Sequence, residues 1–77
     1  MELLIQGSQG DEVLALQEIL KEIGYNIEPS GCYCARTTEA VLDFQRVTSI
    51  PVDGAVGDIT WAFLLNVQAL KARGGTP

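Results

Sequence analysis

A five-residue phrase occurs three times in this 77-residue chain and constrains its fold more than any other feature. It reads VLALQ at 13–17, VLDFQ at 41–45 and LLNVQ at 64–68. Each copy places apolar residues at its first, second and fourth positions, which suits one broad face of a helix. The repeats therefore predict three helices that turn similar faces toward a shared core.

The second and third copies also agree in the residues that lead into them. Gly31, Tyr33, Thr37 and Val41 are followed 23 residues later by Gly54, Val56, Thr60 and Leu64. We call residues 30–37 the first junction and residues 53–60 the second junction, because each leads from a loop into a predicted helix. The agreement predicts two similar loops, one before helix two and one before helix three.

Helix one is predicted over about 11–23, where apolar residues recur at steps of three and four. Ser8 and Asp11 have the spacing of a capping box, which predicts a side-chain cap at the start of this helix. Gly24 provides the left-handed residue that commonly ends a helix.

Helices two and three are predicted over about 36–47 and 58–72, each preceded by a short extended piece. The predicted fold is therefore all-α, a compact three-helix domain with short extended loops before helices two and three. We expect one domain over 1–73 and a flexible tail or linker start over 74–77, where the chain reads GGTP.

The second junction carries clear turn signals. Asp53-Gly54 is typical of a turn. Gly57 suggests a backbone conformation that other residues avoid, and Asp58 suits the positive end of the helix dipole. These residues predict a rigid, partly polar loop at the N-terminus of helix three.

The residue types present argue against most catalytic and metal chemistry. The chain has no histidine, the commonest general base and metal ligand. Cys32 and Cys34 supply too few ligands for a zinc site, and a disulfide between them would close a small, strained ring. A metal shared across a dimer stays open, but free thiols are favoured. We predict no catalytic residue, no metal site, no cofactor and no enzymatic activity.

Charge and hydropathy restrict the partners. The net charge is −5, and residues 1–28 hold six acids against one base, Lys21, so nucleic acid is an unfavourable partner. No apolar run reaches the ~18 residues of a membrane helix. The N-terminus does not resemble a signal peptide. If the protein works outside the cell, we expect that its signal peptide was removed, that this segment was cut from a longer chain, or that it is exported by another route.

Four phrases occur in a fixed order: GSQGDEVLALQ, LKEIGY, SGCYCARTTEAVLDFQ and IPVDGAVGDITWAFL. In this order and spacing they resemble the peptidoglycan-binding domain family, a three-helix module of bacterial and phage cell-wall hydrolases. The resemblance covers residues 4–65. It implies a non-catalytic module of the cell envelope, outside the cytoplasm, that binds the wall glycan or its stem peptide and holds a linked or associated hydrolase there.

The resemblance and the residue chemistry give a set of candidate ligand-binding residues. They are Tyr33, Arg36, Thr37, Asp53, Gly54, Gly57, Asp58, Thr60 and Trp61. The aromatic rings could stack on a sugar, although both are expected to pack largely inward. Arg36 could pair with a stem-peptide carboxylate. The residues of the second junction could present donors to a carboxylate or an N-acetyl group, and turn formation and helix capping are their alternative roles.

Several positions depart from the family pattern. Ser30 stands where Asp is usual and Cys34 where Gly is usual, which leaves the shape of the first junction open. Leu14 and Leu42 replace polar residues and could form an apolar partner surface. This surface supports an alternative function, a protein–protein interaction or assembly module on the same fold. The glutamines that end the three phrases could reach a sugar, but a hydrogen bond to a nearby loop backbone is favoured.

Overall fold

The computed structural model describes residues 3–74, with side chains described as far as Lys71. It contains three helices: α1 (Asp11–Glu22), α2 (Ala35–Val47) and α3 (Asp58–Gly74). Within that range the only β-pairing is two isolated bridges, so the predicted all-α, three-helix fold is confirmed. Of the predicted tail, Gly74 still belongs to α3 and residues 75–77 lie outside the described range.

The core is built from the apolar positions of the repeated phrases. Val13 and Leu16 of the first copy, and Val41 and Phe44 of the second, are all buried. The third copy contributes Leu64, which is fully buried, and a partly buried valine at its fourth position. The remaining buried apolar residues are Leu4, Ile19, Leu20, Ile27, Tyr33, Ala40 and Val56. One face of each helix therefore meets the others, as the repeat predicts.

The two ends of α1 differ in how well the sequence predicts them. At the C-terminus Gly24 has φ of 122°, and the Tyr25 N–H donates to the Leu20 carbonyl at 2.9 Å, which confirms the predicted glycine stop. At the N-terminus the predicted capping box is wrong. The cap residue is Gly10, with no side-chain hydrogen bond, and the Ser8 hydroxyl instead accepts the Ile5 N–H at 3.1 Å.

The C-terminus of α2 repeats the hydrogen bonds that end α1, without a glycine. The Ile50 N–H donates to the Gln45 carbonyl at 3.1 Å and the Ser49 N–H to the Arg46 carbonyl at 3.2 Å. Ser49 occupies the left-handed position with φ of 60°. A side chain with a Cβ is strained there, because the Cβ crowds the neighbouring carbonyl.

Substituting Ser49→Gly is therefore expected to stabilise the domain. Relief of the left-handed strain, less the added freedom of the unfolded chain, should raise the free energy of unfolding by about 0.5–1 kcal/mol. Thermal unfolding would show this as a midpoint higher by a few degrees (~2–6 °C). A lower midpoint than that of the wild type would contradict the expectation.

The N-terminal segment runs alongside both junctions. Leu4 and Val56 exchange two backbone hydrogen bonds, at 3.0 and 2.8 Å. The Gly7 N–H donates to the Tyr33 carbonyl, and the Tyr33 N–H donates to the Ser8 carbonyl. Gln9 and Cys32 form an isolated antiparallel bridge. These bonds confirm a short extended piece before α2 and another before α3, and they bring the two junctions together on one side of the core.

Candidate functional site

Gln45 organises the second junction from within. Its side chain is fully buried. Its Oε1 accepts the N–H groups of Asp53 and Gly54, both at 3.0 Å. Its Nε2 has three acceptors within hydrogen-bond distance. They are Asp53 Oδ1 and the Ala55 carbonyl, both at 2.9 Å, and Thr60 Oγ1 at 3.1 Å. The loop and the first turn of α3 are thus fixed around one amide.

Gln17 plays the same part in the first junction. Its Nε2 donates to the Cys32 carbonyl at 2.8 Å and to Thr37 Oγ1 at 3.1 Å, and its Oε1 accepts the Gly31 N–H at 2.8 Å. The prediction that the three glutamines bind loop backbone is confirmed for Gln17 and Gln45 and is wrong for Gln68. Gln68, the third, meets no junction, because its amide donates to Glu22 Oε2 at 3.3 Å.

Tyr33 links the two junctions. Its ring is buried, as predicted, and its hydroxyl donates to the Gly54 carbonyl at 2.7 Å. Burial raises the pKa of Tyr33 to about 12, and the nearby Asp53 charge acts in the same direction. The hydroxyl therefore stabilises the second loop from inside the domain. Trp61 is partly buried against the core, which also agrees with the sequence prediction.

The glycines of the junctions have different backbone requirements. Gly31 and Gly54 have positive φ, 82° and 75°, whereas Gly57 lies outside the left-handed region. The predicted special conformation of Gly57 is therefore wrong. Cys34, at the equivalent position, has φ of −104° and ψ of −178°, an extended backbone that any residue adopts. The first junction thus accommodates Cys34 without left-handed strain.

A shallow depression of about 360 Å³ opens at the second junction. Its lining residues are Pro51, Asp53, Gly57, Asp58, Ile59 and Thr60. Four of them are predicted site residues, so the structure brings these four together, whereas Gly54 is buried and does not line the depression. Pro51 and Ile59 were missed. Ile59 is 59% exposed, and an apolar residue off the helical core stripe is the signal that could have identified it.

Two predicted residues lie away from this depression. Arg36 is exposed and lines a separate surface depression with Tyr25, Glu39 and Asp43. Thr37 is buried in the first junction, where it accepts the Gln17 amide. The structure therefore separates these candidates from the cluster at the second junction.

The Asp53 carboxylate closes the turn of the second junction. Its Oδ1 accepts the Ala55 N–H at 3.0 Å and the Gln45 amide at 2.9 Å. These donors, the Ala55 N–H first, hold the pKa of the carboxyl below its usual value of 3.8. Asp58 begins α3 and is exposed. The depression therefore has two carboxylates at its edge.

Because the folded-state pKa of Asp53 is depressed, its stabilising effect is present above the unfolded-state pKa. The effect is lost as the pH falls through the folded-state pKa. Asp53→Asn keeps an acceptor oxygen but does not titrate. We expect the urea midpoint of this variant to fall less between roughly pH 7 and pH 3 than that of the wild type. Equal decreases in the two proteins would contradict the assignment.

Leu14 and Leu42 lie at different junctions. Both are partly buried. A Cβ on Gly54 would lie 3.4 Å from Leu42 Cδ2, and Leu14 lines a depression beside Gly31. The partner surface assigned to these leucines stays a prediction. The large apolar residues that the structure exposes are Leu3, Ile5, Val47, Val52, Ile59, Phe63, Leu65 and Leu70.

Cys32 and Cys34 are free thiols, and both are exposed. Over residues 3–74 no group of three or more His, Cys, Asp and Glu side chains is placed to hold a metal ion. Cys34 stands at the N-cap of α2. Its Sγ lies 3.7 Å from Thr37 Oγ1, and hydrogen bonds at this helix start lower the pKa of the thiol.

Residues 9–64 match a family model described as "Putative peptidoglycan binding domain". The chain belongs to the peptidoglycan-binding domain family. It is 39% identical over 77 residues to a protein of Kitasatospora aureofaciens described as "Uncharacterized protein in bpoA1 3'region". The alignment covers 97% of this chain and 63% of that relative.

Solved structures of the family share the fold. The N-terminal domain of SleB superposes with a TM-score of 0.84 at 31% identity, over 87% of this chain and 93% of that one. A fused Zn-dependent amidase/peptidase/peptidoglycan-binding domain-containing protein of Clostridium acetobutylicum gives 0.81 at 36% identity. That match covers 82% of this chain and 28% of the fused protein.

No helix among the described residues is both long and apolar enough to cross a bilayer.

Proposed function

We propose that this domain is a non-catalytic module that binds bacterial cell-wall peptidoglycan at the depression of the second junction. The observation that carries the proposal is the internal network around Gln45. This buried amide holds the loop and the start of α3 in one shape. A site held in shape before the ligand arrives loses little entropy on binding.

The residues of the proposed site divide into two kinds. Asp53, Gly57, Asp58 and Ile59 line the open depression and can contact a ligand. Tyr33, Thr37 and Gly54 are buried and position the junctions. Thr60 belongs to both kinds, since it is buried and also lines the depression. Arg36 and Trp61 remain proposed peripheral contacts, Arg36 for a stem-peptide carboxylate and Trp61 for a sugar face.

The partners follow from the same proposal. The module would hold a linked or associated cell-wall hydrolase on its insoluble substrate, outside the cytoplasm in the cell envelope. In the Clostridium acetobutylicum protein this fold occurs beside an amidase/peptidase, which supports such an arrangement. Attachment raises the local concentration of the enzyme at the wall without new chemistry.

A pull-down on purified sacculi tests the proposal, with two exposed apolar residues of α3 as a matched pair. We expect the wild-type domain to be retained at low salt. Ile59→Asp places a charge in the depression and should abolish retention, whereas Leu65→Asp, an exposed position outside it, should not. Failure of the wild type to bind would overturn the proposed function. Equal retention of both variants would show that the binding site lies outside the depression of the second junction.

A further inference from the structure

Cys32 and Cys34 lie on the same side of the chain, the side that faces away from the core. Tyr33, between them, is 1% exposed, whereas both cysteines are exposed. The segment is extended, because the Tyr33 N–H donates to the Ser8 carbonyl and the Tyr33 carbonyl accepts the Gly7 N–H. Side chains two residues apart on an extended backbone share one face. The first junction therefore presents two thiols side by side to solvent.

The extended backbone also sets the separation of the two cysteines. Residues i and i+2 of a strand lie about 6.6 Å apart, at a rise of about 3.3 Å per residue, and their Cβ atoms keep a similar separation. A disulfide requires Cβ atoms about 3.5–4.5 Å apart. To form one, the segment would have to bend and lose the hydrogen bonds of Tyr33 to Gly7 and Ser8. The backbone therefore opposes a bond between the two sulfurs.

A metal ion between the sulfurs spans a wider gap than a disulfide does. Two metal–thiolate bonds of about 2.3 Å in line hold the sulfurs about 4.6 Å apart, against about 2.05 Å in a disulfide. Soft thiolate ligands favour Cu(I), Zn²⁺ and iron–sulfur clusters. Zinc requires about four ligands and a cluster also requires about four cysteines, whereas Cu(I) is stable with two. The paired thiols therefore suit Cu(I).

The start of α2 provides a favourable electrostatic environment for such a complex. Cys34 is the N-cap residue, and the first turn of this fully described helix holds no acidic residue. By contrast, α1 begins with Asp11 and Glu12, and α3 begins with Asp58. Two thiolates and one Cu(I) together carry a single negative charge, which the positive end of the helix dipole stabilises. The complex would occupy the place that a carboxylate takes in the other two helices.

We propose that Cys32 and Cys34 bind one Cu(I) ion in two-coordinate geometry at the N-terminus of α2. On binding, each S–H bond breaks and an S–Cu bond forms. Two protons pass to solvent, and the copper stays in the Cu(I) state, so no oxidant or reductant takes part. The site belongs to the first junction, separate from the depression of the second junction, and does not depend on the proposed function.

Competition with the coloured Cu(I) chelator bathocuproine disulfonate, under anaerobic conditions, measures the binding. We expect one Cu(I) per chain. Cys32→Ser and Cys34→Ser should each weaken binding by at least about a hundredfold, because a lost ligand costs more than a lost supporting hydrogen bond, which costs about 10–100-fold. Both side chains are exposed, so the variants should fold with thermal midpoints close to that of the wild type. Wild-type affinity no higher than that of the serine variants would overturn the inference.

A variant with the same two thiols on a helix tests the role of the extended backbone. Cys32→Ser/Cys34→Ser/Ala69→Cys/Lys71→Cys keeps two thiols two residues apart, at exposed positions of α3. Side chains at i and i+2 of a helix do not face each other. This variant should bind Cu(I) no more tightly than the single serine variants. Affinity equal to that of the wild type would show that any two nearby thiols suffice, which would overturn the assignment to the first junction.

Stoichiometry and oxidation provide two further outcomes. One Cu(I) per two chains, with a dimer in sedimentation, would place the ion between copies and overturn a site within one chain. Exposure of the copper-free domain to air should produce no intrachain disulfide, and a mass lower by two hydrogen atoms would overturn the separation that we infer. Retention on sacculi enters none of these measurements, so failure of the proposed function leaves this inference standing.

Discussion

Replacing Gln45 by leucine is expected to lower the free energy of unfolding by about 3–5 kcal/mol. Leucine has a similar size, so the loss comes from hydrogen bonding. Two backbone N–H groups, of Asp53 and Gly54, lose their acceptor, and the Ala55 carbonyl and Thr60 hydroxyl lose their donor. Two of these four contacts are only part-buried, so each group left without a partner costs about 1 kcal/mol, the low end of the range for buried groups. A domain of this size has only about 4–12 kcal/mol in total, so the variant should be near the limit of folding.

The chain provides a matched control in its own repeat. Gln68 ends the third phrase, but its amide meets only Glu22 near the surface, at 3.3 Å. Gln68→Leu should change the free energy of unfolding by less than about 0.5 kcal/mol. Urea denaturation of the two variants beside the wild type measures the difference. If both substitutions cost the same, the buried network does not hold the junction together as we describe.

Gly54→Ala is expected to cost about 2–3 kcal/mol, the second large effect. Gly54 has φ of 75°, a backbone conformation in which a Cβ is strained. The new Cβ would also lie 3.3 Å from Thr38 Cγ2, a tight contact that requires that side chain to shift slightly, and 3.4 Å from Leu42 Cδ2, at the edge of ordinary contact. Displacement of this turn would further stretch the hydrogen bond from Tyr33.

Gly57→Ala is the control for that substitution, three residues away. Its backbone lies outside the left-handed region, and an added Cβ would approach only Leu3 Cδ1, at 3.3 Å. We expect a loss below about 1 kcal/mol, because one flexible side chain can move aside. Thermal unfolding should therefore separate the two glycine variants by several degrees (~4–8 °C). Similar midpoints would show that φ at Gly54 does not govern the stability of the loop.

The sequence predicted those features that arise from repetition. The apolar positions of the three phrases predicted the three helices, because residues at this spacing form one face of a helix and an apolar face has to be buried. The 23-residue offset gave two similar junctions before α2 and α3. The bonds from Gln17 and Gln45 to loop backbone were predicted from the place of these residues beside the core stripe, although the same prediction was wrong for Gln68.

Other features depend on contacts that no local pattern contains. The sequence shows glycines at positions 54 and 57 but does not show which of them has a positive φ. That angle depends on how the loop packs against Thr38 and Leu42. The bond from the Tyr33 hydroxyl to the Gly54 carbonyl joins residues 21 apart in sequence. The capping prediction at Ser8 failed because its hydroxyl is engaged by the Ile5 N–H in an earlier turn.

The bridge between Leu4 and Val56 has a mechanical consequence. Leu4 is joined by two backbone hydrogen bonds to Val56, which stands between Gly54 and Gly57. We therefore expect a tension applied at Leu4 to reach Val56, and with it the second junction, through these two bonds. In a module that anchors its cargo to a rigid wall, such a pull would act directly on the depression where we place the ligand. Ligand binding and tension along the chain would then be coupled through Val56.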